Sequence, residues 1–487
     1  MTASYHPDRI ARNTSYLTIA LAIQKALSFV YFIYISRSVG HEDIGKFLFA
    51  LSVTTIFGIF IDIGLSPILT REIAKDRQKT YLFLNSTFSL KLITAVLSYG
   101  AVILFINLID SSELTRQLVY FSGLIMIMDS FTLSFYAIFR GYQKLKYESI
   151  GVIINKVVVI AAGVIALQMG YGIKVLILAI LCGSVFNVLY TMFLLFAKIK
   201  WRPKFYLDRD VLRTMFKIAL PFALASIFIT VFGYVDTVLL NILGGVRGDS
   251  YVGWYGTAYK LTYAFQFIPI ALAASIFPAM SSYFVSSKGL LARTFERAVY
   301  YLTIISVPIA FGVFAIADKL IVRIWGDAFE ASIIPLQILI FSLIFLFANF
   351  PIGSLLNACN RQARNTINIA IAMVINVVLN LILIPRYTFI GTSIASLVSI
   401  FALFVLGLYV TRQIITPNWR FLIKTLAKTV VSAGVMMAMI FALKDSISFI
   451  LLIPVGIILY FIILFLLRGF GQQEYIKIYQ AIRKKLI

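Results

Sequence analysis

Seven ionisable residues stand inside long apolar runs and are the first candidates for chemistry: Lys25, Lys91, Lys156 and Lys260, with Asp62, Asp129 and Asp236. The stretch LTIALAIQKALSFVYFIYIS at 17–36 poses the problem, because it is long enough to cross a bilayer and Lys25 sits near its middle. A lysine at that depth costs about 2.5–3.5 kcal/mol on insertion scales, so it must face protein or a water-filled cavity. Counted inward at 1.5 Å per residue, Lys25 and Lys91 lie roughly 15 Å deep, Lys156 roughly 12 Å from the inner end and Lys260 roughly 9 Å from the outer end. The last two are shallow enough to snorkel.

Lysines lining a cavity suit an anionic cargo, since an ammonium is a serviceable point-charge binder of phosphate. The aspartates have two readings: structural ion pairs with the lysines, or groups that titrate or bind a coupling ion, H+ or Na+. Gln24, Asn155, Asn187, Asn349, Asn376 and Asn380 either line the same space or hydrogen-bond between helices. Arg37, Arg71 and Arg140 fall at span ends, where they gate a cavity mouth, recruit a charged headgroup, or simply set topology.

Enzyme chemistry finds little footing. The two histidines, His6 and His41, are far apart in loops, and no Gly-rich phosphate loop or nucleophile motif is present. DRD at 208–210 matches a metal-holding D-x-D, but a helix cap is the plainer use of an aspartate there. No metal or cofactor is expected. The two cysteines, Cys182 and Cys359, read as small buried residues without a disulfide.

The elements that position these residues follow from composition. The chain has 487 residues, 61% hydrophobic and 13% charged, against about a quarter charged in soluble domains. Its formal charge of +23 is spread over short loops between apolar runs, a topological pattern with no nucleic-acid footprint. Runs of about 20 apolar residues give fourteen spans, near 14–36, 45–69, 82–108, 117–139, 149–169, 173–197, 214–241, 254–280, 298–317, 331–357, 363–385, 390–411, 424–443 and 448–467. With a cytoplasmic N-terminus, inside segments carry 30 Lys and Arg and outside segments 9, the bias of the positive-inside rule. Trp201, Trp254, Trp325 and Trp419 fall at or just past span ends, as an interfacial aromatic belt requires.

The expected fold is therefore all-α and polytopic: about fourteen transmembrane helices in two six-helix lobes plus two C-terminal helices, both termini cytoplasmic. The lobes are 1–197 and 214–411, joined by a cytoplasmic amphipathic linker at 198–213, with spans 13 and 14 and a basic tail in 412–487. The stretches 140–175 and 357–393 share a layout of polar inside turn, Asn-bearing span, aromatic outside turn and glycine. Six spans per repeat relates the lobes by an axis along the membrane normal, with a central cavity at their interface.

Five stretches carry a family resemblance: IDIGLSPILTREIAKD (61–76), FRGYQKLKYESI (139–150), GYVDTVLLN (233–241), VGWYGTAYKLTYAFQFIPIALAASIFPAMS (252–281) and VLNLILIPRYTFIGTSIAS (378–396). Their order resembles the polysaccharide biosynthesis (Wzx-type) flippases of the multidrug/oligosaccharidyl-lipid/polysaccharide exporter superfamily. The resemblance implies a transporter of the cell inner membrane that turns a polyprenyl-diphosphate-linked oligosaccharide outward. Its partners would be that glycan lipid, membrane lipids and other polysaccharide-assembly proteins. It also implies that cavity cations on spans 1 and 8 neutralise the diphosphate, and Lys25 and Lys260 occupy comparable places; taken with depth, Lys25 and Lys91 are the first candidates for that role, then Lys260 and Lys156. Cation-exporting relatives commonly carry a carboxylate on span 1, and this chain has none there. The alternatives are an ion-coupled multidrug or metabolite antiporter of the same fold and, further off, a membrane glycan ligase or polymerase.

Overall fold

The structure, a computed structural model, describes residues 7–469 and is helical throughout, with no strand among the described residues. The basic tail from residue 470 on lies outside the described residues. Fourteen α-helices follow in order: α1 Pro7–Asp62, α2 Leu65–Lys75, α3 Thr80–Leu108, α4 Glu113–Gly141, α5 Lys146–Gln168, α6 Ile173–Leu194, α7 Arg209–Leu243, α8 Gly248–Ala264, α9 Phe267–Ser286, α10 Lys288–Trp325, α11 Ile333–Ala358, α12 Gln362–Arg412, α13 Trp419–Leu443 and α14 Phe449–Leu466.

Eleven helical stretches are long and apolar enough to span a membrane, and Ile450–Leu466 is a shorter apolar helix. Two of the eleven bend sharply. The first breaks at Gly40 (φ 81°, ψ 175°), a conformation open to glycine and strained for other residues. The other, α12, breaks at Thr388 (φ 49°, ψ −130°), just beyond Pro385. Both breaks fall where the sequence interrupts its apolar runs with a polar turn. The short expected break between Ala358 and Gln362 is made by Asn360 in the left-handed region (φ 58°).

Helix starts follow local chemistry. Ser112 accepts from the Thr115 N–H at the start of α4, and Asn418 accepts from the Phe421 N–H at the start of α13. Five helices carry an internal proline, Pro278 in α9, Pro308 in α10, Pro351 in α11, Pro385 in α12 and Pro454 in α14, a residue that membrane helices tolerate more readily than soluble ones.

The chain divides into two compact units, Met1–Gly256 and Thr257–Ile487. In the first, α1 packs on α3, α4, α5 and α7, and α4 and α5 pack on α6. In the second, α10 and α11 form the centre, against α9, α12 and α13, and α14 packs on α13 and α10. The division falls within α8 rather than in the 198–213 linker, because α7 and the first part of α8 pack against α1.

The linker has no regular secondary structure over residues 200–208 and is hydrogen-bonded to Asn85 and Ser89 of α3. Its Trp201 is fully buried among Phe88, Phe135 and Phe196, and the indole N–H donates to Asn85 Oδ1 at 2.8 Å. Trp201 and Trp325 (2% exposed) are therefore core residues, correcting the aromatic-belt expectation for both. Sequence position locates a span end but not the direction an indole faces. Cys359 is buried as expected, whereas Cys182 on α6 is exposed, correcting its reading as a buried residue.

Candidate functional site

The structure sorts the four mid-span lysines. Lys91 on α3 has no exposed surface, and its Nζ donates to Asp62 Oδ1 at 2.5 Å, to the Ser130 carbonyl at 2.7 Å and to Ser130 Oγ at 3.0 Å. Three donors meet three acceptors, so Lys91 is spent inside the first unit. That corrects its reading as a cavity cation. Depth along a helix says how far a side chain is from water, not which face it occupies. Lys156 on α5 is half-buried with its ammonium 5.5 Å from the Tyr31 ring centroid, a cation–π contact. Lys25 on α1 and Lys260 on α8 are exposed, and Lys25 has no ion-pair partner among the described residues.

The aspartates separate in the same way. Asp62 pairs with Lys91. Asp236 on α7 is 4% exposed and accepts from the Tyr255 hydroxyl at 2.7 Å, tying α7 to α8 within the first unit. Asp129 on α4 is exposed and sits beside Ser184 of α6. An ionisable group that keeps accessible surface midway along a bilayer-length helix faces water, since hydrocarbon would exclude it. Lys25 and Asp129 meet that condition, whereas Lys260 is exposed four residues before the end of the 17-residue α8. Of the arginines, Arg37 is exposed. Arg71 is exposed too, with its Nε 3.8 Å from Glu72. Arg140 is half-buried and grips Glu148 through a two-point fork, Nε to Oε2 at 2.7 Å.

The amide residues mostly serve packing. Asn187 is buried and accepts from Tyr136 at 2.5 Å, Asn380 donates to the Asn376 carbonyl at 2.9 Å, and Asn349 reaches the Ile400 carbonyl at 3.4 Å. Among the described residues no group of three His, Cys, Asp or Glu side chains could hold a metal ion.

Two features carried no local sequence signal. In the first unit, α1 and the start of α8 meet backbone to backbone: a Cβ at Gly45 would overlap the Asp249 carbonyl, and one at Gly253 would overlap the His41 carbonyl. His41 stacks on Trp254 beside this seam, with ring centroids 4.8 Å apart. In the second unit an apolar cavity of about 480 Å³ opens among α8, α10, α13 and α14, lined by Leu261, Pro308, Gly312, Met436, Gly456 and Tyr460.

The profile of the polysaccharide biosynthesis protein family matches residues 10–284, more than half of the chain. The chain belongs to that family. A second family profile, MatE, matches residues 221–382. Among curated relatives, the probable low-salt glycan biosynthesis flippase Agl15 of Haloferax volcanii is 23% identical over 393 residues, covering 80% of this chain and 81% of that one. Among solved structures, the lipid II flippase MurJ in an inward closed conformation superposes with a TM-score of 0.71 at 18% identity, covering 93% of this chain and 97% of the other. An inward-facing multidrug resistance MATE family transporter gives 0.69 at 14% identity, covering 82% and 97%. This polysaccharide biosynthesis family member thus shares its fold with those transporters, and it is a multi-pass protein of a prokaryotic cell membrane.

Proposed function

We propose that the protein turns a polyprenyl-diphosphate-linked oligosaccharide from the inner to the outer leaflet by alternating access. Lys25 and Lys260 each offer an ammonium to the diphosphate, and the lipid chain stays in hydrocarbon. The observation that carries this reading is Lys25: an exposed cation in the middle of an apolar span, without an ion-pair partner among the described residues. The first half of α1 also lacks any Asp or Glu between Asp8 and Glu42. Diphosphate stranded in a low-dielectric medium needs such a countercharge. The match to a glycan biosynthesis flippase over 80% of the chain supports the cargo class. The apolar cavity in the second unit accepts hydrocarbon and rejects a headgroup.

Translocation of a labelled polyprenyl-diphosphate oligosaccharide in proteoliposomes tests this reading, comparing the wild type with Lys25→Gln and Lys260→Gln. Transport by wild type that falls at least tenfold in Lys25→Gln is the expected result. Equal transport by both would remove Lys25 from the site, and no transport of several glycan lipids by wild type would sink the flippase reading.

One observation favours a second reading, an ion-coupled antiporter. Asp129 is exposed at mid-span beside Ser184, and the MatE profile covers residues 221–382. In that case proton- or sodium-driven efflux collapses in Asp129→Asn and survives Lys25→Gln.

A further inference from the structure

The stretch IDIGLSPILTREIAKD spans the junction at which α1 hands over to α2. Two consecutive residues there, Ile63 (φ 40°) and Gly64 (φ 71°), adopt the left-handed region. Glycine does so without cost, but for a β-branched isoleucine it is a strained state that persists only when its surroundings enforce it. Gly64 caps α2 without a side-chain hydrogen bond. The first turn of α2 is held instead from outside, by the carboxylate of Asp62.

That carboxylate is a hub. Its Oδ1 accepts from Ser66 Oγ at 2.6 Å, across the break, and from Lys91 Nζ of α3 at 2.5 Å. Lys91 passes the connection to Ser130 on α4, and Ser66 Oγ lies 3.2 Å from Ser134 Oγ of the same helix. Further along, Thr70 Oγ1 donates to the Ala137 carbonyl at 3.2 Å. The polar ties that Ser66 and Thr70 make from α2 to α4 are thus hydroxyl contacts, which re-pair readily, whereas the Lys91 ammonium is fully buried and saturated. Lys91 and Asp62 are the fixed part of the junction, and α2 is the part held by exchangeable bonds.

We infer that Ile63–Gly64 is a pivot about which α2 swings, that the Lys91–Asp62 pair is its fixed anchor, and that the Ser66 hydroxyl, shared between Asp62 and Ser134, is the latch that holds α2 against α4 in the present state. The inference rests on the chain being a transporter, but it needs no particular cargo. Strain at Ile63 is relieved when α2 leaves, so the latch and the strain oppose each other, as a two-state element requires.

The test locks α2 to α4. In a background of Cys182→Ala and Cys359→Ala, the pair Ser66→Cys and Ser134→Cys places two thiols where the hydroxyls now touch. Hydrogen exchange of the reduced protein in lipid nanodiscs should run at least tenfold faster over residues 63–75 than over the adjoining parts of α3 and α4. Oxidation should remove that difference, and dithiothreitol should restore it. Asp62→Asn with Lys91→Gln, which keeps volume but removes the charge pair, should speed exchange over 63–75 further and leave α3 and α4 unchanged. Exchange over 63–75 no faster than in α3 and α4 overturns the pivot. So does an equal rise through all three helices in the charge-neutral variant, which marks a plain structural rivet. Should the cysteine pair fail to fold, Thr70→Cys with Ala137→Cys makes the same lock one turn further on. Translocation of the glycan lipid, measured in parallel, should stop on oxidation. If wild type moves none, the flippase reading fails while the exchange arm still judges the pivot.

Discussion

Gly45 and Asp249 stand so close that the Cα of the one leaves no room for a side chain beneath the carbonyl oxygen of the other. Gly253 repeats the relationship in reverse against the His41 carbonyl. Two helices separated by some two hundred residues of chain are thus joined at bare backbone, the mode of close approach that small residues permit in membranes. A backbone carbonyl cannot step aside as a flexible side chain can. Gly45→Ala and Gly253→Ala should each destabilise by about 1–3 kcal/mol through overpacking, read as a lower melting temperature in detergent. Gly100→Ala is the contrast: nothing lies near that Cβ position, so it should hold or raise the melting temperature.

The lysines separate by experiment as they do by geometry. Lys91→Met leaves the largely buried Asp62 without its countercharge, a loss of about 3–5 kcal/mol. Lys25→Met breaks no ion pair among the described residues and should change stability by no more than about 0.5 kcal/mol. Thermal unfolding of the two variants side by side checks this. Equal losses would mean that Lys25 is also a structural partner.

Much of this arrangement was legible beforehand, and the boundary is physical. Hydropathy located the helices, and turn-forming residues located the bends at Gly40 and Thr388. The pairing of a mid-span lysine with a mid-span aspartate was one of two open readings, and Lys91 with Asp62 realises it. The choice between readings was not legible, because a span's residue order does not fix which face meets protein and which meets water. For the same reason the glycine seam was invisible. Gly45 and Gly253 are ordinary helix glycines until the opposing backbone is in place.

Trp201 is a plug, and its removal should release the linker. The indole touches Phe88, Phe135 and Phe196 and donates to Asn85. Trp201→Ala should cost about 3–5 kcal/mol and expose the chain on either side. Limited trypsin digestion checks it, with cleavage after Lys204 faster than in wild type. Unchanged cleavage would mean that the linker is held by its other contacts alone.

At the loop joining α13 and α14 a crossed pair of ion bridges ties this hairpin to α10. Lys444 reaches Asp318 at 2.9 Å, and Lys319 reaches Asp445 at 3.0 Å and the Lys444 carbonyl. The hydrogen bond from Asp318 holds the Lys444 ammonium above its usual range. A lysine raised by folding contributes stability in full below its unfolded value near 10.4, and the contribution fades as pH climbs through the higher folded value. Lys444→Met should therefore lower stability by roughly 0.2–1 kcal/mol at neutral pH. The gap from wild type should stay constant to about pH 10 and close above that. Melting curves across that range decide it, and a gap that widens with alkalinity would contradict the assignment.

The linker contacts on α3 also set a leash. Asn85 Oδ1 accepts from the Lys204 N–H at 3.3 Å, and Ser89 Oγ accepts from the Tyr206 N–H at 2.8 Å, so the chain is pinned to α3 until Tyr206. Only Leu207 and Asp208 remain before α7 begins at Arg209. At 3.3–3.6 Å per extended residue, the start of α7 can travel no more than about 10 Å from that pin. Any larger excursion must first strip Tyr206 from Ser89. Replacing one serine on α3 would thus lengthen the tether of a different helix, and the reach of α7 is set by residues that α7 does not contain.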